Sequence, residues 1–492
     1  MKIFKVRVWC LTVPAPKVSP IIVAALPIGN SMDAPTLLVL LMKVIDGLLD
    51  RGISIVSYAC DGTVVERTVQ RLFLEKANEY LYIVKNPRTG CADTRISFGI
   101  YRGQAICMVQ DSKHALKTFR NNLFSGAQLL TFGNHTAIYQ HILEVASGEG
   151  SPLFNRDVVK LDRQDDNAAV RLFSADVLQY LSSHHPDYIG EIVYLFVFGE
   201  LVDAYQNRSI AHSERLKMVL RARYFLDSWE TYLVVCGYRK DHYFLSREAV
   251  DIARIIIEGF IALIIIHRDH IPEPTALLPW LHSSETCEHV FGEARHVVKD
   301  FTFLDFIYMI PKLRIKLYHS ALHGKSSDSK ARAVGYSHTY FDHEGLDLLA
   351  LSTYPTDEEI QSLAQDAAQE ANSLIALLGV SADTLHRNRN QNLPWLPSID
   401  SWAGKISNSD DNDEISLNSD IESDDGMESE AQQLQDILDQ EENSPISRSN
   451  RIDTICLNLT SAALAVSADE AAQVYVVLVY FLFLRFILTT TL

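Results

Sequence analysis

Cysteine is scarce and carries no pairing pattern. The seven in 492 residues (10, 60, 91, 107, 236, 287 and 456) are odd in number and never spaced as Cys-x-x-Cys. That excludes a zinc-finger framework and fits reduced thiols in a nuclear or cytoplasmic protein rather than a disulfide scaffold. The first residues, MKIFKVRVWCLTV, lack the unbroken apolar core of a secretory leader, because Lys5 and Arg7 interrupt the run. Basic residues are absent from one long stretch. Between Asp410 and Glu442 there are fourteen Asp and Glu and no Lys or Arg, so the formal net charge of −18 leaves only −4 for the rest of the chain. A nearly neutral body can carry local basic faces, and the overall acidity does not exclude a nucleic-acid partner.

Long apolar runs are also few. IIIEGFIALIII, residues 255–266, is too short and is interrupted by Glu258, so it reads as a core helix and not a membrane span. The exception is the C-terminal VYVVLVYFLFLRFILTTTL, apolar from Val474 to Leu488 apart from Arg485. Counted from Ala471 it approaches the ~20 residues a membrane helix needs. A tail anchor formed by residues 471–492 is one reading; a helix docked on the body or an aberrant end of the gene model is the other.

What is present is enough apolar sequence, 47%, to bury a sizeable core. The chain opens with strand and helix signals. FKVRVWCLTV alternates as a strand does, and PIIVAALPIG is a continuous apolar run expected to be buried on both faces. APTLLVLLMKVIDGLLDRG has helical periodicity and stops at Gly52. ISIVSYACDG predicts a buried strand ending at Asp61, followed by an amphipathic helix from Thr63 through Leu81. AICMVQD predicts another strand ending in an acid, Asp111, and SKHALKTFRNNLF the helix after it. This order is that of a mixed α/β layer fold. In open α/β sheets ligands gather at the carboxyl ends of strands, where Asp61 and Asp111 fall. The plainer reading of each is an Asx turn or helix N-cap.

From about residue 126 to 278 the pattern becomes helical, and prolines 272, 274 and 279 mark its end. The stretch LLPWLHSSETCEHVFGEAR then groups Glu285, Glu288 and Glu293 with His282, Cys287 and His289. Cys287 and His289 lack zinc-ligand spacing. Glu285 reads as a capping-turn acid after Ser283, and Glu293 as a solvated one.

Three segments carry a family resemblance. SIVSYACDGTVVERTVQRL resembles the second-aspartate segment of RNase H-like DDE transposases. MVQDSKHALKTFRNNLF resembles the D-x-x-H-x-x-K-x-x-R-N segment of P-element and THAP-type transposases, with Asp111, His114, Lys117, Arg120 and Asn121 in register. SSETCEHVFGEARHVVKDFTFLDF is similar to the helix bearing their last carboxylate, Glu288, with Phe291 and Arg295 at matching positions. LFVFGELVDAYQNRS resembles part of their helical insertion. The likeness, nearest to a group of fungal transposon-derived proteins, covers about residues 1–325.

The resemblance implies an RNase H-like α/β core interrupted by a large all-α insertion, mostly helical overall. Its parts would be a core at 1–125, an insertion domain at 126–278, a helix carrying the last acid at 279–325, a helical extension at 326–400, an acidic disordered linker at 401–450 and a C-terminal segment at 451–492. It implies DDE-type polynucleotidyl transfer with two Mg2+ or Mn2+ ions, held in part by Asp61 and Glu288, because in-line attack on a phosphodiester needs hard oxygen ligands from separate elements. Lys113, Lys117, Arg120 and Arg295 would neutralise phosphates. Asp111, His114 and Asn121 would be structural parts of the motif, with His114 bonding between strand and helix. The family's first carboxylate lies on a strand upstream of the pair that opens this chain, and no Asp precedes Asp33. The expectation is therefore a transposase-derived DNA-binding protein with impaired catalysis, possible homo-oligomers included. The alternatives are an active or fragmentary metal-dependent nuclease, and a tail-anchored helical adaptor with no nucleic-acid role. The Ser/Asp/Glu-rich linker cannot bury a core; it either solubilises or contacts basic proteins.

Overall fold

The alternation of the first segments produces a hairpin. In the computed structural model, β1 (Lys5–Leu11) and β2 (Ile21–Ile28) pair antiparallel, with a register shift between Trp9 and Cys10. The run at 20–29, expected to be buried on both faces, instead mixes buried Ile22, Ala24 and Ala25 with half-exposed neighbours. The hairpin forms its own two-stranded sheet, which explains why one face stays accessible. Residues 5–13, 18–29, 32–159, 162–272, 275–323, 346–382 and 385 are described, and all belong to one compact unit. The expected linker at 401–450 and the apolar end at 471–492 lie outside them.

Helix α1 (Ala34–Leu49) starts where the Asp33 side chain accepts the Thr36 N–H, and it ends before Gly52, whose φ of 71° suits glycine. After it come β3 (Ser57–Cys60), α2 (Val64–Lys76), β4 (Asn78–Val84), β5 (Thr94–Tyr101), β6 (Gln104–Gln110) and α3 (Ser112–Ser125). The strands form one sheet in the order β3-β6-β5-β4, with β3 parallel to β6 and the others antiparallel. The helix predicted through Leu81 stops at Lys76, because NEYLYIV alternates and pairs along its length with β5. Strand β5 was not legible in the sequence.

A short hairpin, β7 (Leu130–Phe132) and β8 (His135–Ala137), precedes the helical region. That region comprises α4 (Tyr139–Ser147), α5 (Asn155–Val159), α6 (Asp166–Leu172), α7 (Ala175–His184), α8 (Ile189–Gln206), α9 (His212–Val235), α10 (Lys240–Tyr243) and α11 (Arg247–Ile265). A π-helical turn (Ile266–His270) extends α11, and a 3-10 turn (Pro279–Leu281) leads to α12 (Glu285–Val297), α13 (Phe303–His323) and α14 (Asp357–Leu377). The described chain is thus mostly helical with a small mixed sheet.

The helices expected as a separate insertion share one core with the sheet. Val109 of β6, Phe119 of α3, Tyr205 of α8, Phe260 of α11 and Ile360 of α14 are buried in the same cluster. Helix α11 lies directly on the sheet, the Cys107 thiol 3.6 Å from the Gly259 carbonyl. Helix α14, expected as an extension, buries Ile360, Ala364, Ala367, Ala368, Ala371 and Ile375. A second cluster joins the hairpin to α12 and α13 through Val8, Ile22, Val290, Phe306 and Leu313. Each such large aliphatic or aromatic side chain contributes about 1.5–3 kcal/mol by leaving water. Among the described residues no helix is long and apolar enough to cross a membrane.

Candidate functional site at the strand ends

Parallel pairing of β3 and β6 sets Cys60 opposite Gln110, and the Asp111 N–H donates to the Cys60 carbonyl at 2.9 Å. Asp61 and Asp111 therefore leave the sheet side by side. The Asp61 carboxylate accepts the Thr63 N–H at 3.3 Å, and the Thr63 hydroxyl accepts the Glu66 N–H to cap α2. Gly62 follows Asp61 for a steric reason: a Cβ there would lie 2.8 Å from Ile252 of α11.

Asp111 is 1% exposed and caps α3. One carboxylate oxygen accepts the N–H groups of Lys113 and His114 at 2.8 and 3.4 Å, and the other accepts the N–H and hydroxyl of Ser284, each at 2.8 Å. A carboxylate offers about four lone-pair sites, and here all are taken. Burial works to raise its pKa, but the charge of His114 and the Ser284 bonds outweigh burial and hold it below the usual carboxylate value.

Those bonds bring the start of α12 onto α3. Lys113 pairs with Glu285 at 2.9 Å, both side chains buried, and burial raises the Glu285 carboxyl despite that partner. His114 Nε2 meets Glu288 Oε1 at 2.7 Å. That bond lowers Glu288; burial disfavours the charged His114 ring, yet Glu288 and Asp111 together raise its pKa. On its other side α12 meets β1, where the Cys287 thiol donates to the Val8 carbonyl at 3.6 Å and Thr12 and Thr286 hydroxyls lie 3.1 Å apart. Glu293, expected to be solvated, pairs with Lys316 of α13 at 2.8 Å.

The basic residues expected to face phosphate are mostly engaged within the chain. Lys113 holds Glu285, and Lys117 holds Asp166 at 2.9 Å. Arg120 is 1% exposed and donates to the carbonyls of Asp157, Asp162 and Asp165, so it has no face for a phosphate. Asn121 donates to the Arg163 carbonyl at 3.4 Å. Of the four, Arg295 alone is exposed.

A two-ion centre at Asp61 and Glu288 does not fit these donors. Asp111, beside Asp61, has no lone pair to offer, and Glu288 is bonded to His114. Among the described residues no three or more His, Cys, Asp or Glu side chains are grouped to hold a metal ion. Sequence reasoning missed Ser284 and the burial of Glu285 and assigned nothing to Asp166. The paired serines before α12 were a visible capping signal, but nothing local names a partner 173 residues away. Comparison of the chain with protein-family models, curated proteins and solved structures finds no match.

Proposed function

We propose that the chain is a transposase-derived protein that binds DNA without cutting it. The observation that carries this reading is the closed state of the strand-end acids. Asp61 and Asp111 leave the sheet side by side and the first turn of α12 packs on α3, but Asp111 is saturated by Ser284 and its own helix, and Glu288 is held by His114. The RNase H-like ancestry rests on the three resembling segments. DNA contact falls to exposed basic residues such as Arg295, since Lys113, Lys117 and Arg120 serve the fold.

Fluorescence anisotropy with a labelled duplex, from about 50 to 200 mM salt, measures the first half; affinity should fall linearly on a log–log scale, and Arg295→Ala should reduce the slope by about one. Absence of binding at low salt removes the DNA assignment. A nicking assay with Mg2+ or Mn2+ measures the second half, with intact DNA expected. Cleavage that disappears in Asp61→Ala overturns it.

A further inference from the structure

Cys10 on β1 and Cys287 on α12 are 277 positions apart, yet Cys10 lies between Val8 and Thr12, the two residues of its segment that touch Cys287 and Thr286 of α12. The Cys287 sulfur lies 3.6 Å from the Val8 carbonyl, two residues before Cys10. Contacts on either side hold the two elements together. Thr12 and Thr286 touch at 3.1 Å, and Val8 and Val290 are buried in one cluster that Cys10 packs against. The pairing register with β2 shifts between Trp9 and Cys10, the kind of irregularity that bends a strand. The other described thiols have different surroundings. Cys60 faces Gln70, Cys107 faces the Gly259 carbonyl, Cys91 is half-buried, and Cys236 is exposed.

We propose that Cys10 and Cys287 are an oxidative modification site, closing to a disulfide in response to hydrogen peroxide and stapling β1 to α12. One thiol attacks peroxide: an S–O bond forms, the O–O bond breaks, and water leaves, giving a sulfenic acid. The second sulfur then attacks the first, the S–O bond breaks, and a second water departs as the S–S bond forms. Overall two thiols are oxidised and one peroxide is reduced to two waters. Because β1 and α12 are already packed together at this point, the two sulfurs need only a local approach to the ~2.05 Å of a disulfide. In a reducing compartment such a bond is transient and reports oxidant. Its effect falls on α12, because Glu288 adjoins Cys287 and closure fixes the helix against the hairpin.

The full chain is treated with hydrogen peroxide, free thiols are alkylated, and peptides are mapped by mass spectrometry without reduction. The expected product is a Cys10–Cys287 linked peptide that dithiothreitol reverses, with Cys236 still alkylated and a higher melting temperature than the reduced chain. Cys10→Ser and Cys287→Ser should each abolish the link. Cross-links dominated by other cysteines overturn the proposal, as does over-oxidation of Cys287 while Cys10 still alkylates. The wild-type map decides the matter even where a serine variant fails to fold.

Discussion

At the residue scale, Asp111 carries more of the site than any other side chain. Its carboxylate accepts four hydrogen bonds, two from its own helix and two from Ser284. Asp111→Ala leaves those buried donors without an acceptor and should lower stability by about 3–5 kcal/mol in urea denaturation. A loss under about 1 kcal/mol would contradict the clamp. Asp111 was legible as a strand-end acid and as a cap, since both follow from neighbouring residues. Its partner was not, because periodicity tells which face of an element is apolar and not which distant segment lies against it. Lys113, Lys117 and Arg120 mislead for the same reason: spacing places them on one helix, and only tertiary packing assigns them to Glu285, Asp166 and backbone carbonyls.

The His114–Glu288 bond has a pH window set by both partners. Glu288 is lowered, so its share is present above the ordinary carboxylate value and is lost as pH falls through the lowered one. His114 is raised, so its share is present below the ordinary imidazole value and is lost as pH rises through the raised one. Glu288 is half-exposed, which limits the net contribution to under about 1 kcal/mol. In Glu288→Gln the His114 pKa, followed by NMR titration of the ring, should drop. An unchanged titration would mean that burial and Asp111 alone set it.

Among the elements, α13 separates packing from mere helicity. Leu313 is fully buried against the hairpin, while Ile315, two positions on, is 69% exposed. Leu313→Ala should therefore lower stability by about 2–4 kcal/mol. Ile315→Ala should change it by less than about 0.5 kcal/mol. Equal losses, read from paired denaturation curves, would show that the exposed face is covered. The element limits were readable where a residue's chemistry forces them, as with Asp33 before α1 and Thr63 before α2. They failed at β4, where NEYLYIV follows α2 with no breaking residue and fits a helix or a strand until β5 supplies its hydrogen bonds.

For the molecule as a whole, the notable junction is a line of buried and half-buried rings crossing several layers. His212 of α9 bonds the Leu351 carbonyl at 2.9 Å and stacks on Tyr354; His267 of the π-turn lies near both Tyr354 and His282; and His282 bonds the Ser57 hydroxyl of β3 at 2.6 Å. Burial lowers all three, His212 to about 4 and His282 to about 3. The unfolded chain takes up protons near pH 6.5 that the folded chain refuses, so stability must fall as pH falls below that value. The slope reaches about 1.4 kcal/mol per pH unit for each imidazole protonated only in the unfolded chain. Ordinary carboxylates titrate mainly below about pH 4.5, so from about pH 6.5 to 5 the histidines dominate, with raised carboxyls such as Glu285 acting in the opposite sense. Denaturation midpoints should decline across it, and His212→Gln should flatten the decline by about a third, since one of three such groups is removed. Midpoints that stay level from pH 7 to 5, in either protein, would show that protons reach these rings without opening the fold.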